Sequence, residues 1–397
     1  MIINNFIFTE ISDLLEFNPE IYEMVKKLRI GIIGCGRIAV VKHFPAFAKA
    51  KDRVDLVAFC DIEIERAIEA AEKYGVPGAE TYKDYRDLLK DKSIDVVYIL
   101  TPNNSHSPLT VDALEAGKHV LCEKPMAATT ADAQKMLDAA KRTGKKLTIG
   151  YQNRFRKDVQ ILKHASDEGE LGEVYFAKAH AVRRKGVPTW GVFLDKEKQG
   201  GGPLIDIGTH ALDIALWTMD NYKPKQVSGS VFHKMKDNYE GNLFGPWNTE
   251  TIDVEDSAFG FIKMENGATI FLEASWALNI LKPREGQVTL CGTKSGAELV
   301  GDGAAAPTSA VNGTGSVAFN TARFGELVDI EPFVLGGPGP ADLGHDPFRV
   351  ADAELAAWID AIENDKEPVV TAQQAFIVTQ VLEAIYKSAE TGQTIEL

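Results

Sequence analysis

Long apolar runs are missing from this 397-residue chain, and none approaches the roughly 20 residues of a membrane-spanning helix. Basic clusters are missing too. With 43 basic against 57 acidic residues the formal net charge is −14, which makes nucleic acid and anionic membranes poor partners. Cysteine is scarce: Cys35, Cys60, Cys122 and Cys291 are the four, and no two stand at metal-ligand spacing. Neither a metal site nor a disulfide framework is therefore expected, and buried free thiols fit a reducing, cytoplasmic setting. Residues 1–27 carry Glu10, Asp13, Glu16, Glu20 and Glu23 with no basic start, so they read as an N-terminal extension rather than a signal peptide. Internal repeats are absent as well.

What the chain has in ordinary measure is a globular composition, 45% hydrophobic and 25% charged. Its length exceeds the reach of one hydrophobic core, so two domains are expected. From Leu28 to Gly150, runs of strand and helix character alternate. Strands are expected at Arg29–Ile33, Val54–Cys60, Val96–Leu100, His119–Cys122 and Lys146–Gly150, and helices at Val40–Ala50, Glu63–Tyr74, Ser107–Ala116 and Ala131–Thr143, with a short piece at Tyr85–Lys90. Such βαβ units build a doubly wound parallel sheet. After Gly150 strands follow one another, at Val174–Val182, Val227–Phe232, Ser257–Met264, Ala268–Ser275 and Gln287–Gly292, with Asn266-Gly267 as a hairpin signal. Residues 302–318 read as an extended loop and Gly336–Pro340 as a break. Helices at Ala353–Ile362 and Ala372–Ala389 close the chain. The fold class is α/β: a Rossmann domain over 28–150, then an α+β domain over 151–397 on an open, mostly antiparallel sheet, whose terminal helices are free to pack back on the first domain.

The first strand breaks into Gly34-Cys35-Gly36-Arg37-Ile38-Ala39, the order that a dinucleotide site needs: a tight turn, a close backbone approach, and a small residue for helix packing. Asp61 ends the second strand, where a carboxylate accepts from ribose hydroxyls and repels a 2′-phosphate; NAD is thus favoured over NADP. Its bland reading is a helix cap for Glu63 onward. Thr101-Pro102-Asn103-Asn104-Ser105-His106 and Glu123-Lys124-Pro125 follow later strands at the carboxyl edge, where ligands bind in such sheets. Asn103 and His106 are candidates to touch cofactor or substrate. An ammonium at Lys124 would stabilise a developing alkoxide. Further on, Asp206, His210 and Asp213 fall on one helix face behind Gly200-Gly201-Gly202. His210 titrates near neutral pH and suits a general base.

These motifs in this order resemble those of the glucose–fructose oxidoreductase / inositol dehydrogenase (Gfo/Idh/MocA) family, over nearly everything from Leu28 to Leu397. Asn153-Arg154-Phe155 belongs to the same pattern. The resemblance implies nicotinamide-dependent oxidation or reduction of sugars and cyclic polyols, with Lys124, Asp206 and His210 as the catalytic set. It implies a cofactor set of Gly34, Cys35, Gly36, Arg37, Ile38, Asp61, Thr101, Pro102, Asn103, His106, Glu123 and Lys124. Lys124, Asp206 and His210 would share the substrate side with Tyr151, Asn153, Arg154 and Trp190. The second sheet often serves such proteins as an oligomer interface, so a homo-oligomer, dimer or tetramer, is expected. The alternative keeps the fold but recycles a tightly bound NAD, so that oxidation at one carbon permits elimination of a glycosidic group. A regulator without catalysis is disfavoured, because the full catalytic set is present.

Overall fold

The computed structural model describes residues 27–238, 240–250, 252–301, 315–331 and 349–397. Six parallel strands form the first sheet: β1 (Leu28–Ile33), β2 (Val54–Cys60), β3 (Glu80–Tyr82), β4 (Val96–Ile99), β5 (His119–Cys122) and β6 (Leu147–Ile149), in the order β3-β2-β1-β4-β5-β6. All four residues of β4 are buried, as expected of a strand covered by helices on both faces. The order reverses at β1, which lies between β2 and β4. The crevice at that point is where a doubly wound sheet binds its ligand.

The second sheet has nine strands: β7 (Val174–Val182), β8 (Pro224–Phe232), β9 (Ser257–Met264), β10 (Thr269–Ser275), β11 (Arg284–Gly292), β12 (Gly296–Gly301), β13 (Gly315–Arg323), β14 (Glu326–Ile330) and β15 (Ile395–Glu396). It is mixed rather than wholly antiparallel, because β7 and β10 pair in parallel at its centre. Strands β12 to β14 went unread in the sequence. The first residues of β13, Gly315 to Ala318, fall within the stretch expected to be a loop. Only Val317 among them favours a strand by itself, and the stretch is held by pairing with β12, Gly315 against Gly301 and Ser316 against Val300. Residues 302–314 and the Gly336–Pro340 break lie outside the described residues.

The helix Arg349–Glu363 returns to the first sheet, where Leu355, Trp358 and Ile359 join a core with Ile30, Ile32 and Phe59. The helix Ala372–Thr391 begins with a capping box at Thr371 and Gln374 and buries Val378, Leu382 and Ile385 in the core that joins both sheets. One face of the second sheet stays open, with Tyr175, Phe261 and Phe271 exposed there.

Candidate active site

The glycine turn follows β1 directly. Gly34 has φ +98°, and a Cβ there would lie 2.5 Å from the Leu100 carbonyl oxygen, so only glycine makes this turn. A Cβ on Gly36 would meet nothing within 4 Å, which leaves its backbone open to a phosphate. Ala39 is fully buried and lets the following segment lie on the strand. That segment is not one helix from Val40 to Ala50. It opens as a wide π-turn over Ala39–His43 and tightens to α-helix over Phe44–Lys49. Asp61 Oδ2 accepts from the Cys35 backbone N–H at 2.8 Å and Oδ1 from that of Glu63 at 2.9 Å. Asp61 therefore ties the turn to β2 and caps the next helix start, and its two oxygens keep further lone pairs for ribose hydroxyls. A tight first glycine, an open second one and an anchored carboxylate fit a dinucleotide.

The carboxyl-edge loops divide their work. Asn103 Nδ2 donates to the Gln199 carbonyl at 2.9 Å and so ties the two domains together. His106 is fully buried between the carbonyls of Pro125 (2.8 Å from Nδ1) and Thr101 (2.9 Å from Nε2), and its neutral ring, with one N–H, donates to one of them. Burial disfavours its charged form and lowers its pKa. The Glu123 side chain likewise turns inward, against expectation: Oε1 accepts from Lys42 Nζ at 2.7 Å and pairs with His43 Nε2 at 2.8 Å. Lys42 also pairs with Glu354 at 2.9 Å. Burial opposes charge on Glu123, but Lys42 and His43 outweigh it and hold the carboxyl well below its usual range. Glu123 Oε2 in turn accepts from the Lys124 backbone N–H at 3.2 Å, so the network anchors the backbone of the residue beside it. The Lys124–Pro125 peptide bond is cis.

Lys124 reaches across to the second domain. Its Nζ donates to the Asp206 backbone oxygen at 2.8 Å and to Asp206 Oδ1 at 3.0 Å. An ammonium has three N–H bonds, so one remains. Asp206 Oδ2 accepts from Trp276 Nε1 at 3.0 Å. Burial would raise the Asp206 carboxyl, but Lys124 and Arg183 more than reverse this and hold it below its ordinary value. Asp206 sits in a second π-turn, Leu204–Gly208, which passes into the α-helix Thr209–Thr218. The turn's free N–H groups at Gly202 and Leu204 donate to the buried Glu255 carboxylate at 2.8 and 3.2 Å, and Tyr386 donates to it from the other side. A Cβ on Gly202 would lie 2.2 Å from the Glu255 carbonyl oxygen, which explains the glycine there.

His210 lies one helical turn beyond Asp206. Burial, and then the positive charge of Lys124, push its pKa down to about 3, so the imidazole is neutral at physiological pH. Neither ring nitrogen bonds to a partner among the described residues, and Nδ1 is enclosed. Tyr151, expected on the substrate side, is instead fully buried behind this ring. The two rings meet edge to face at 6.1 Å, and the Tyr151 hydroxyl bonds to Thr209 Oγ1 at 2.8 Å. Asp213 does not join Asp206 and His210; on the α-helix Thr209–Thr218 its side chain is turned into the core. It pairs with Arg154 at 2.6 Å, both fully buried. Arg154 thus does not meet a substrate, since Gln374, Val369 and Tyr222 take its other N–H groups. Asn153 is also buried, with both amide atoms unpartnered among the described residues. Trp190 lies under the Arg37 guanidinium, 4.3 Å from the ring centroid, so the phosphate turn touches the second domain here.

Four contributors escaped the sequence reading: Trp276, Glu255, Lys42 and His43. Each acts through a partner dozens of residues away, and no local motif marks them. Among the described residues no group of His, Cys, Asp and Glu could hold a metal ion, and no helix is long and apolar enough to cross a membrane.

A glycine-turn cradle and a Lys–Asp–His cluster at the carboxyl edge of a doubly wound sheet define the class as nicotinamide-dependent oxidoreductases. Residues 28–151 match the oxidoreductase family with an NAD-binding Rossmann fold, and residues 163–397 match its C-terminal alpha/beta domain. The chain belongs to the Gfo/Idh/MocA oxidoreductase family. It is 38% identical over 370 residues to a D-glucoside 3-dehydrogenase of Escherichia coli K12, covering 93% of this chain and 97% of the relative. It is 35% identical over 202 residues to an inositol 2-dehydrogenase of Salmonella typhimurium LT2, covering 50% of this chain and 57% of that one. Among solved structures, an aldose-aldose oxidoreductase from Caulobacter crescentus complexed with glycerol is 27% identical with a TM-score of 0.73, covering 94% and 100%.

Proposed function

We propose that the protein is an NAD-dependent dehydrogenase that oxidises a ring hydroxyl of a glucoside, with His210 as general base. The observation that carries this reading is the contact of Lys124 with Asp206. Two of the three N–H bonds of the ammonium are fixed, and the third is left for the reacting oxygen. Bound NAD supplies the hydride acceptor. Gly34, Cys35 and Gly36 would hold its phosphates, and Asp61 its ribose hydroxyls; the carboxylate would repel a 2′-phosphate and favour NAD over NADP. An alcohol loses its proton too reluctantly at neutral pH to react unaided. His210, kept neutral at that pH, takes the hydroxyl proton in oxidation and returns it in reduction; its lowered pKa makes it a weak acceptor, so the proton leaves only as Lys124 stabilises the negative charge on the oxygen. Lys124 stabilises negative charge on the same oxygen, and Asp206 fixes the direction of the ammonium. The strong match to a D-glucoside 3-dehydrogenase supports a glucoside as the substrate and its third carbon as the site of oxidation. A cytoplasmic location fits the free thiols. A second copy of the chain covers the open aromatic face of the nine-stranded sheet.

The test is NAD reduction followed by absorbance with glucosides, inositols and free aldoses as separate substrates. Reduction by glucosides is expected; reduction by inositols alone would move the substrate assignment, and reduction by none would refute it. Accumulation of free NADH also separates this reading from one in which NAD is recycled on the enzyme.

A further inference from the structure

Two buried polar atoms on the helix Arg349–Glu363 lack a partner that the side chains around them could supply. Glu354 and Trp358 stand four positions apart, on one face of that helix, and are 5% and 3% exposed. Glu354 Oε2 pairs with Lys42 Nζ at 2.9 Å, but Glu354 Oε1 and Trp358 Nε1 have no partner among the described residues. Both residues line one small cavity of about 10 Å³, together with Thr148, Val370, Leu121 and Phe155 among others. A single buried water needs roughly 10–15 Å³ and two to four polar partners. Thr148 Oγ1 spends its own hydrogen on the Val370 carbonyl at 2.9 Å and keeps lone pairs to accept another.

The chemistry of the lining selects the occupant. An indole N–H only donates, so it repels a cation. The lone pairs of Glu354 Oε1 and Thr148 Oγ1 repel an anion, and an apolar group would leave the buried atoms unpaired. A water meets all three: it accepts from Trp358 and gives its two hydrogens to Glu354 and Thr148. Burial, countered only in part by Lys42, raises the Glu354 carboxyl above its ordinary value, and a water serves that group in either protonation state. Beyond Glu354 the bonds continue toward the catalytic centre. Lys42 Nζ also donates to Glu123 Oε1 at 2.7 Å and to Gln152 Oε1 at 3.3 Å, and Glu123 Oε2 accepts from the Lys124 backbone N–H at 3.2 Å. All three N–H bonds of the Lys42 ammonium are thus used, and losing the Glu354 acceptor would loosen the group that holds Glu123. After burial, Lys124 and Asp206, the charges of Glu123 and Lys42 also bear on His210, so this network stands behind both catalytic groups.

We infer that this cavity is a binding site for one structural water, and that the water and Glu354 together position Lys124, acting through Lys42 and Glu123. The positioning role rests on the reading of Lys124 above; the water site does not. A crystal structure of the full chain that resolves internal waters tests the site. One water is expected within hydrogen-bond distance of both Glu354 Oε1 and Trp358 Nε1, and no water between them overturns the site. Steady-state kinetics test the positioning. Glu354→Met keeps the volume and removes both acceptors; kcat with a methyl glucoside should fall about tenfold, with KM and the NADH dissociation constant within about threefold of wild type. Glu354→Gln should restore most of that loss, because an amide can accept from Lys42 and donate to the water. Thermal melting confirms that the variants fold. If Glu354→Met does not, Trp358→Phe removes only the donor to the water and should lower kcat about threefold. A merely structural role would lower the melting temperature and leave kcat at its wild-type value well below it, which overturns the positioning. If no glucoside reduces NAD, the proposed reaction fails and the crystal structure of Glu354→Met decides instead. Loss of the 3.2 Å contact between Glu123 and the Lys124 N–H supports the positioning, and an unchanged contact overturns it.

Discussion

Lys124 Nζ lies 2.8 Å from the Asp206 backbone oxygen and 3.0 Å from its Oδ1, although the two residues are 82 positions apart and belong to different domains. Each partner is itself held: Lys124 through its backbone by Glu123, Asp206 through Trp276. The ammonium is thus fixed before any substrate arrives, which is the condition for stabilising charge that develops in a transition state.

Removing that charge should slow the chemistry and spare the cofactor. Lys124→Ala is expected to lower kcat by about 10²- to 10³-fold, the usual loss for one such donor. Calorimetric titration with NADH should show a dissociation constant within about threefold of wild type. A comparable loss of cofactor affinity would contradict the assigned role.

His210 makes a statement about pH. In the folded protein its pKa lies near 3, below the ordinary value of about 6.5 for the unfolded chain. The unfolded state therefore binds the extra proton first, and stability falls as pH drops below about 6.5 toward 3. His119, pushed down to about 4 by burial and by Lys145 and Lys146, adds to the same trend. A His210→Gln variant should lose less of its melting temperature between pH 7 and pH 5 than wild type does. An equal loss in both proteins would remove His210 from this account.

The buried pair of Arg154 with Asp213 is structural. Arg154→Ala leaves an unpaired buried carboxylate and should cost about 3–5 kcal/mol in urea denaturation. The paired double variant Arg154→Met with Asp213→Leu should recover part of that loss, which a substrate-binding role for Arg154 would not allow.

Asp61 holds the glycine turn through Cys35 and is the proposed ribose acceptor. Asp61→Ala should raise the dissociation constant of NADH at least tenfold and that of NADPH by less. Equal weakening of both would mean that the carboxylate shapes the turn without selecting the cofactor.

The alternating half of the fold was legible because its β-branched strands, glycine turns and helix faces each carry a local signal. The strand starting at Gly315 was not, because small residues there pair only where β12 offers an edge. The same division runs through the site. Lys124, Asp206 and His210 stand in short motifs, and the structure gathers Lys124 and Asp206 directly. Tyr151 and Arg154 follow the same sheet edge and looked equally available, but polarity in a sequence does not say which side of a chain faces inward. Glu255 and Trp276 carried no signal, since their meaning depends on Gly202 and Asp206 far away in the chain.

The most direct test of the central claim uses a methyl glucoside carrying deuterium on the third carbon, with mass analysis of the cofactor after turnover. The label is expected in NADH with wild-type enzyme, together with a 3-keto sugar, and turnover should vanish in His210→Ala while NADH still binds. Label that stays on the sugar while NAD is reduced would contradict oxidation at that carbon, and wild-type rates in His210→Ala would contradict the proposed base.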